Sequence, residues 1–89
     1  MKFTHYRRMY RNRIEVIAEI LKIARKGATK TQIMYDANLS FLQLKKFINF
    51  LQAKRLIKVI ESQNGKLYVI TPSGESFLEY YSKLEKFVK

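Results

Sequence analysis

TKTQIMYDANLSFLQLKKFINFLQAKR, residues 29–55, contains two helix starts eleven residues apart. Thr29-Lys30-Thr31-Gln32 is a capping box: the threonine side chain accepts from the backbone N–H three residues on, and the glutamine reaches back to the cap. A short helix with Ile33, Met34 and Ala37 on its apolar side follows, and Asn38 is suited to the left-handed conformation that stops it. Leu39 leads into a second capping box, Ser40-Phe41-Leu42-Gln43. The helix it opens is longer, about 41–54, with Leu44, Phe47, Ile48 and Leu51 spaced as one buried stripe. Two capped helices with so little chain between them cross steeply rather than lie antiparallel, which is the helix-turn-helix arrangement.

Downstream, Leu56–Ile60 and Lys66–Ile70 read as strands joined through Gln63-Asn64-Gly65-Lys66. Asn64-Gly65 favours a type I′ turn. Pairing Gln63 with Lys66 sets Val59 opposite Ile70 and Glu61 opposite Tyr68, so that Ile57, Val59, Tyr68 and Ile70 share the buried face. A hairpin directly after a helix-turn-helix is a wing. Its polar tip, Ser62 to Lys66, suits a backbone or minor-groove contact, a partnerless surface loop being the plainer alternative. Thr71-Pro72 then caps a last helix in which Phe77, Tyr81, Leu84 and Val88 recur at helical spacing, widened by Tyr80 and Phe87. A core of this size does not easily hide all six, so they form the expected homodimer face.

Upstream, Arg13–Lys26 reads as the first helix, ended by Gly27 at its C′ position. Ile14, Ile17, Leu21 and Ala24 form one stripe and Val16, Ile20 and Ile23 a second. The second stripe fits either a subunit contact or a fully embedded helix. Residues 1–12 are a basic segment with Phe3, Tyr6 and Tyr10 interleaved. It reads as an extension of the first helix, an arm lying along phosphates or in a minor groove, or a frayed tail.

The 89 residues make a single modest core, and the chain is 47% hydrophobic, so it folds. No apolar run reaches the roughly 20 residues that span a bilayer, and no signal peptide is recognisable. Cysteine is absent, which removes disulfides and thiolate metal sites, and His5 has no companions for a metal site or a triad. Net charge is +11 and the pI about 10.1. Residues 1–13 hold Lys2, Arg7, Arg8, Arg11 and Arg13 with no acid. Residues 26–66 hold Lys26, Lys30, Lys45, Lys46, Lys54, Arg55, Lys58 and Lys66 against only Asp36 and Glu61. Segments 14–25 and 73–89 are each neutral. Such segregation fits a polyanionic partner better than a generic soluble surface.

Helix, helix, helix, hairpin, helix is the order of a winged helix, an α+β, mainly α fold. The run Ile14–Leu21, then KGATKTQIMYDANLS, LKKFINFL, RLI and YVITPSG, resembles the archaeal winged-helix DNA-binding family that includes the small 10a-type chromatin proteins of thermophiles. Small plasmid- or virus-encoded archaeal repressors look similar. The resemblance spans about residues 12–85. It implies double-stranded DNA binding by the third helix and wing, and dimers formed through the C-terminal helix. By matching position it points to Thr31, Tyr35, Ser40, Gln43, Lys46 and the wing tip. The 10a-type last helix is long and forms an antiparallel coiled coil, whereas here the sequence stops at Lys89, which leaves the dimer geometry open. Arg55 stands where the resemblance leads one to expect glycine, so a different end to the third helix is expected.

The expected organisation is therefore a basic arm or helix extension (1–12), a winged helix-turn-helix (13–71) and a dimerisation helix (72–89). The expected DNA contacts are Arg7, Arg8, Arg11, Lys30, Thr31, Tyr35, Ser40, Phe41, Gln43, Lys45, Lys46, Asn49, Lys54, Gln63, Asn64 and Lys66. Ser40, Gln43, Lys46 and Asn49 would face bases. Phe41 and Leu42 either touch thymine methyls or pack against the second helix. Phe77, Tyr80, Tyr81, Leu84, Phe87 and Val88 would form the dimer interface. No cofactor, metal, membrane or small-molecule ligand is expected, and neither is an enzyme, since no nucleophile–base pair, phosphate-binding glycine loop or metal cluster is present. A cytoplasmic, nucleoid-associated regulator is the leading expectation, or one in a host's cytoplasm if plasmid- or virus-encoded. An architectural chromatin protein and a winged-helix protein-interaction module are its rivals. RNA binding is weaker, because the aromatics fall mostly on core faces.

Overall fold

The computed structural model describes residues 11–88. Phe3, His5, Tyr6, Arg7, Arg8 and Tyr10, on which the arm expectations rest, lie outside the described residues. The elements in order are α1 (Arg13–Ile23), a 3-10 turn (Ala24–Lys26), α2 (Lys30–Asp36), α3 (Phe41–Ala53), β1 (Ile57–Ser62), β2 (Gly65–Ile70) and α4 (Pro72–Val88). This is a mainly helical α+β winged helix.

Each helix start has a local chemical cause. Asn12 and Glu15 form a capping box at α1, Thr29 and Gln32 at α2, and Ser40 and Gln43 at α3. The Asn12 backbone is extended, at φ −79° and ψ 165°, so α1 begins at Arg13. At α4, Thr71 Oγ1 accepts from the Gly74 N–H at 3.1 Å, with Pro72 at the first helical position.

The helix ends are equally local. Asn38 sits at φ +57°, with its N–H on the Tyr35 carbonyl and the Leu39 N–H on the Met34 carbonyl, a complete Schellman motif. Arg55 repeats it at φ +59°: its N–H bonds the Gln52 carbonyl, and the Leu56 N–H bonds the Leu51 carbonyl. The different ending expected at Arg55 is thus not found, because a side chain occupies the left-handed position that glycine would take without strain. α1 gives way to the 3-10 turn after Ile23, earlier than expected, and Gly27 follows at φ +83°.

The core joins α1 to α2, α3, the hairpin and α4. Ile20, Leu21, Ile33, Leu44, Ile48 and Leu51 are its largest fully buried side chains, each contributing about 1.5–3 kcal/mol of burial. Val16 and Ile20 belong to this same cluster and Ile23 packs against it, which is the embedded helix, the second of the two alternatives for that stripe. α1 is embedded on two sides, and only Ile14 of its apolar residues is half exposed.

The hairpin register also differs from expectation. Ile57 pairs with Ile70, Val59 with Tyr68, Glu61 with Lys66 and Ser62 with Gly65. Gln63 and Asn64 make the turn, neither at positive φ, so a type I′ turn is not formed; Gly65 takes φ +113°. Ser62 Oγ donates to the Gly65 carbonyl at 2.7 Å across this shifted two-residue loop. Moving the turn by one residue moves every partner by two, so Ile57, Val59, Tyr68 and Ile70 keep one shared face. A two-way backbone bridge between Ala28 and Tyr68, at 3.0 and 2.7 Å, ties the wing to the segment between α1 and α2.

Candidate nucleic-acid interface

α3 is amphipathic in a specific sense. Leu44, Ile48 and Leu51 are buried and Phe47 half-buried, while Phe41, Leu42, Gln43, Lys45, Lys46, Asn49, Gln52 and Ala53 are exposed. None of its thirteen residues is acidic. The helix is therefore a rod of about 20 Å with one side in the core and the other presenting cations, amides and apolar groups to solvent. Its N-terminal dipole adds positive potential at the Ser40 end.

Most of the expected contact residues are available. Lys30, Thr31 and Tyr35 are exposed on α2, Lys54 at the end of α3, and Gln63, Asn64 and Lys66 at the wing tip. Several cations lie over rings: Lys45 over Phe41, Lys54 over Phe50 and Lys30 over Tyr68, each at 5.9 Å. Ser40 and Gln43 are exposed but partly committed. Ser40 Oγ accepts from the Gln43 N–H at 3.1 Å, and Gln43 Oε1 accepts from the Ser40 N–H at 2.9 Å.

Arg11 is engaged within the protein. Its guanidinium pairs with Glu19 and donates to the Ala37 carbonyl at 2.6 Å, with a longer contact to the Asn38 carbonyl at 3.4 Å. It fastens the turn between α2 and α3 to α1 and is not a free phosphate ligand. Arg13, absent from the expected set, stacks over the Phe50 ring at 4.6 Å. With Asn38, Gln43 and Phe47 it lines a groove between the start of α1 and α3. The sequence places Arg13 in a basic run, but only the fold brings it beside α3.

Glu19 and Glu75 are held in ion pairs with arginines. Arg25 donates to Glu75 at 2.9 Å, linking the 3-10 turn to α4, and that hydrogen bond is the main reason its pKa is raised. Burial, with Glu85 and Glu15 nearby, pushes the Tyr81 phenol up where α4 packs on the core. Among the described residues, no group of three or more His, Cys, Asp or Glu is placed to hold a metal ion, and no helix is long and apolar enough to cross a membrane.

These features define the class: the chain belongs to the winged helix-turn-helix family, which it matches over residues 10–89. An uncharacterized protein of Methanocaldococcus jannaschii, MJ0287, is 39% identical over 82 residues, covering 91% of this chain and 78% of that one. A second, MJ0290, is 33% identical over 79 residues, covering 88% of this chain but only 36% of its own length. In structure the chain is similar to Sso10a-2, a DNA-binding protein from Sulfolobus solfataricus, with a TM-score of 0.75 at 19% identity, covering 86% of this chain and 81% of that one. That likeness is one of fold.

Proposed function

We propose that this protein binds double-stranded DNA as a transcriptional regulator, with α3 in the major groove and the wing tip on the backbone or in the minor groove. The observation that carries the reading is the exposed, acid-free side of α3 from Phe41 to Ala53. Lys45, Lys46 and Asn49 face the groove, Lys30, Arg13, Lys54 and Lys66 meet flanking phosphates, and Thr31 and Tyr35 lie along the same edge. Arg7 and Arg8 add further phosphate contacts. The DNA-binding description of Sso10a-2 supports the reading.

The protein acts as a homodimer through the outer side of α4, where Tyr80, Leu84, Phe87 and Val88 are 60–88% exposed. Phe77 and Tyr81, expected in the same interface, pack against the protein's own core and serve it only at the margin. A two-fold dimer reads a pseudo-palindromic site. Catalysis plays no part in this reading, and the nucleoid is where it would operate.

The decisive experiment is selection from a random duplex library, followed by affinity measurement for the selected site and for random duplex. A regulator gives a large ratio, on the order of a thousandfold or more. An architectural protein, the reading favoured by the +11 charge taken alone, gives a small one. Absence of duplex binding at low salt leaves the protein-interaction module.

A further inference from the structure

We infer that Phe41 and Leu42 read the 5-methyl group of thymine, so that the bound duplex carries A·T pairs opposite the N-terminal end of α3. This rests on the duplex-binding reading above and adds what that surface selects.

Phe41 and Leu42 are 64% and 62% exposed, so most of each side chain faces solvent rather than the protein's own packing. They occupy the first two positions of α3, where side chains lean towards the helix N-terminus and whatever that end faces. Two adjacent large apolar side chains at such a place call for an occupant. Their surroundings name its chemistry. Lys45 lies over the Phe41 ring, Lys46 follows it, and α3 has no acid, so the occupant is polyanionic outside and apolar at one point. The thymine methyl is the apolar group that an unmodified duplex displays in its major groove.

The polar neighbours strengthen the assignment. Ser40 and Gln43 are the side chains next to this pair best suited to hydrogen-bond a base edge, yet each bonds the other's backbone N–H in the capping box. Gln43 Oε1 is thereby withdrawn from an adenine amino group. Apolar contact then joins the donor groups that Ser40 and Gln43 keep at this end of the helix, and Lys46 and Asn49 supply hydrogen bonds further along.

The test needs no unusual protein. Affinity is measured for a short alternating A·T duplex and for the same duplex with uracil replacing thymine, which removes the methyls and keeps the pairing. The wild-type protein should bind the thymine duplex more tightly, by about fourfold for each methyl engaged. Phe41→Ala and Leu42→Ala, both at exposed positions, should each shrink the ratio, and the double change should bring it to one. Equal binding of the two duplexes by wild-type protein overturns the inference and leaves duplex binding standing. Failure to bind either duplex at low salt removes the underlying reading instead. An unchanged ratio in the Phe41→Ala, Leu42→Ala protein, together with altered self-association, assigns the patch to a protein contact and also overturns the inference.

Discussion

The carbonyl oxygen of Leu56 lies so close to Gly74 that a Cβ at residue 74 would stand 2.4 Å from it, with Ile70 Cγ1 at 2.6 Å. The same carbonyl accepts the Thr71 N–H at 3.1 Å, so α4 crosses the root of the wing at backbone distance. Alanine is the better helix former by about 1 kcal/mol, which would make Gly74→Ala stabilising on propensity alone. The overlap opposes this and is larger, because backbone cannot move aside as a side-chain tip does. Gly74→Ala should lower unfolding stability by roughly 1–3 kcal/mol, read from the denaturant midpoint.

Arg11 and Lys46 are both cations of a basic protein, but their surroundings assign them different work. Arg11 is held by Glu19 and by the Ala37 carbonyl, and Lys46 is exposed on α3. Arg11→Ala should cost about 1.5–3 kcal/mol of stability, since it removes charge-assisted bonds to the turn, and should leave the slope of log affinity against log salt nearly unchanged. Lys46→Ala should do the reverse: stability within about 0.5 kcal/mol of wild type and a salt slope smaller by about one. A reduced slope in the Arg11 variant would return it to the phosphate contacts.

The contrast shows what is legible in the sequence. Helix starts at Thr29 and Ser40 could be read because a capping box spans four residues and needs nothing distant. Asn38 as a stop is local in the same way. The Asn12–Glu15 box is local too, yet it lies in a basic run that reads as an arm. The hairpin was legible as a hairpin, while its register turned on whether Asn64 joins Gly65 at positive φ, which the dipeptide alone does not decide. The Ala28–Tyr68 bridge, the Arg11 tie and the close approach at Gly74 join residues 26 to 40 or, for Gly74 and Leu56, 18 positions apart, and no periodicity announces them. Val16 and Ile20 gave an apolar stripe whose partner only the packing identifies.

Arg55 carries a cost that can be relieved. At φ +59° its Cβ crowds the following carbonyl, a strain of about 1–2 kcal/mol for a residue with a side chain, partly offset by the greater entropy glycine loses on folding. Arg55→Gly should therefore raise stability by roughly 0.5–1 kcal/mol and the Tm by a few degrees. Arg55→Ala keeps the strain and removes the charge. If both variants gain equally, relief of charge repulsion is the cause and the backbone argument fails.

The outer side of α4 supports the last prediction. Leu78 is buried and Tyr81 half-buried, so the first part of the helix is anchored to the core, and Leu84, Phe87 and Val88 beyond it are 60%, 88% and 83% exposed. Burying such residues against a second copy gains about 25 cal/mol for each Å² of apolar surface removed from water, whereas exposed singles gain nothing. Wild-type protein should sediment as a dimer in the micromolar range, and Leu84→Glu with Phe87→Glu should sediment as a monomer with unchanged helix content. The acidic pair would place like charges face to face across a two-fold interface, and neither residue contributes to the intrachain core. Monomeric variant should also bind a palindromic site more weakly than wild type while binding a single half-site about equally, because two linked half-site contacts act at high effective concentration. A wild-type monomer at high micromolar concentration would refute the α4 interface without touching the α3 surface.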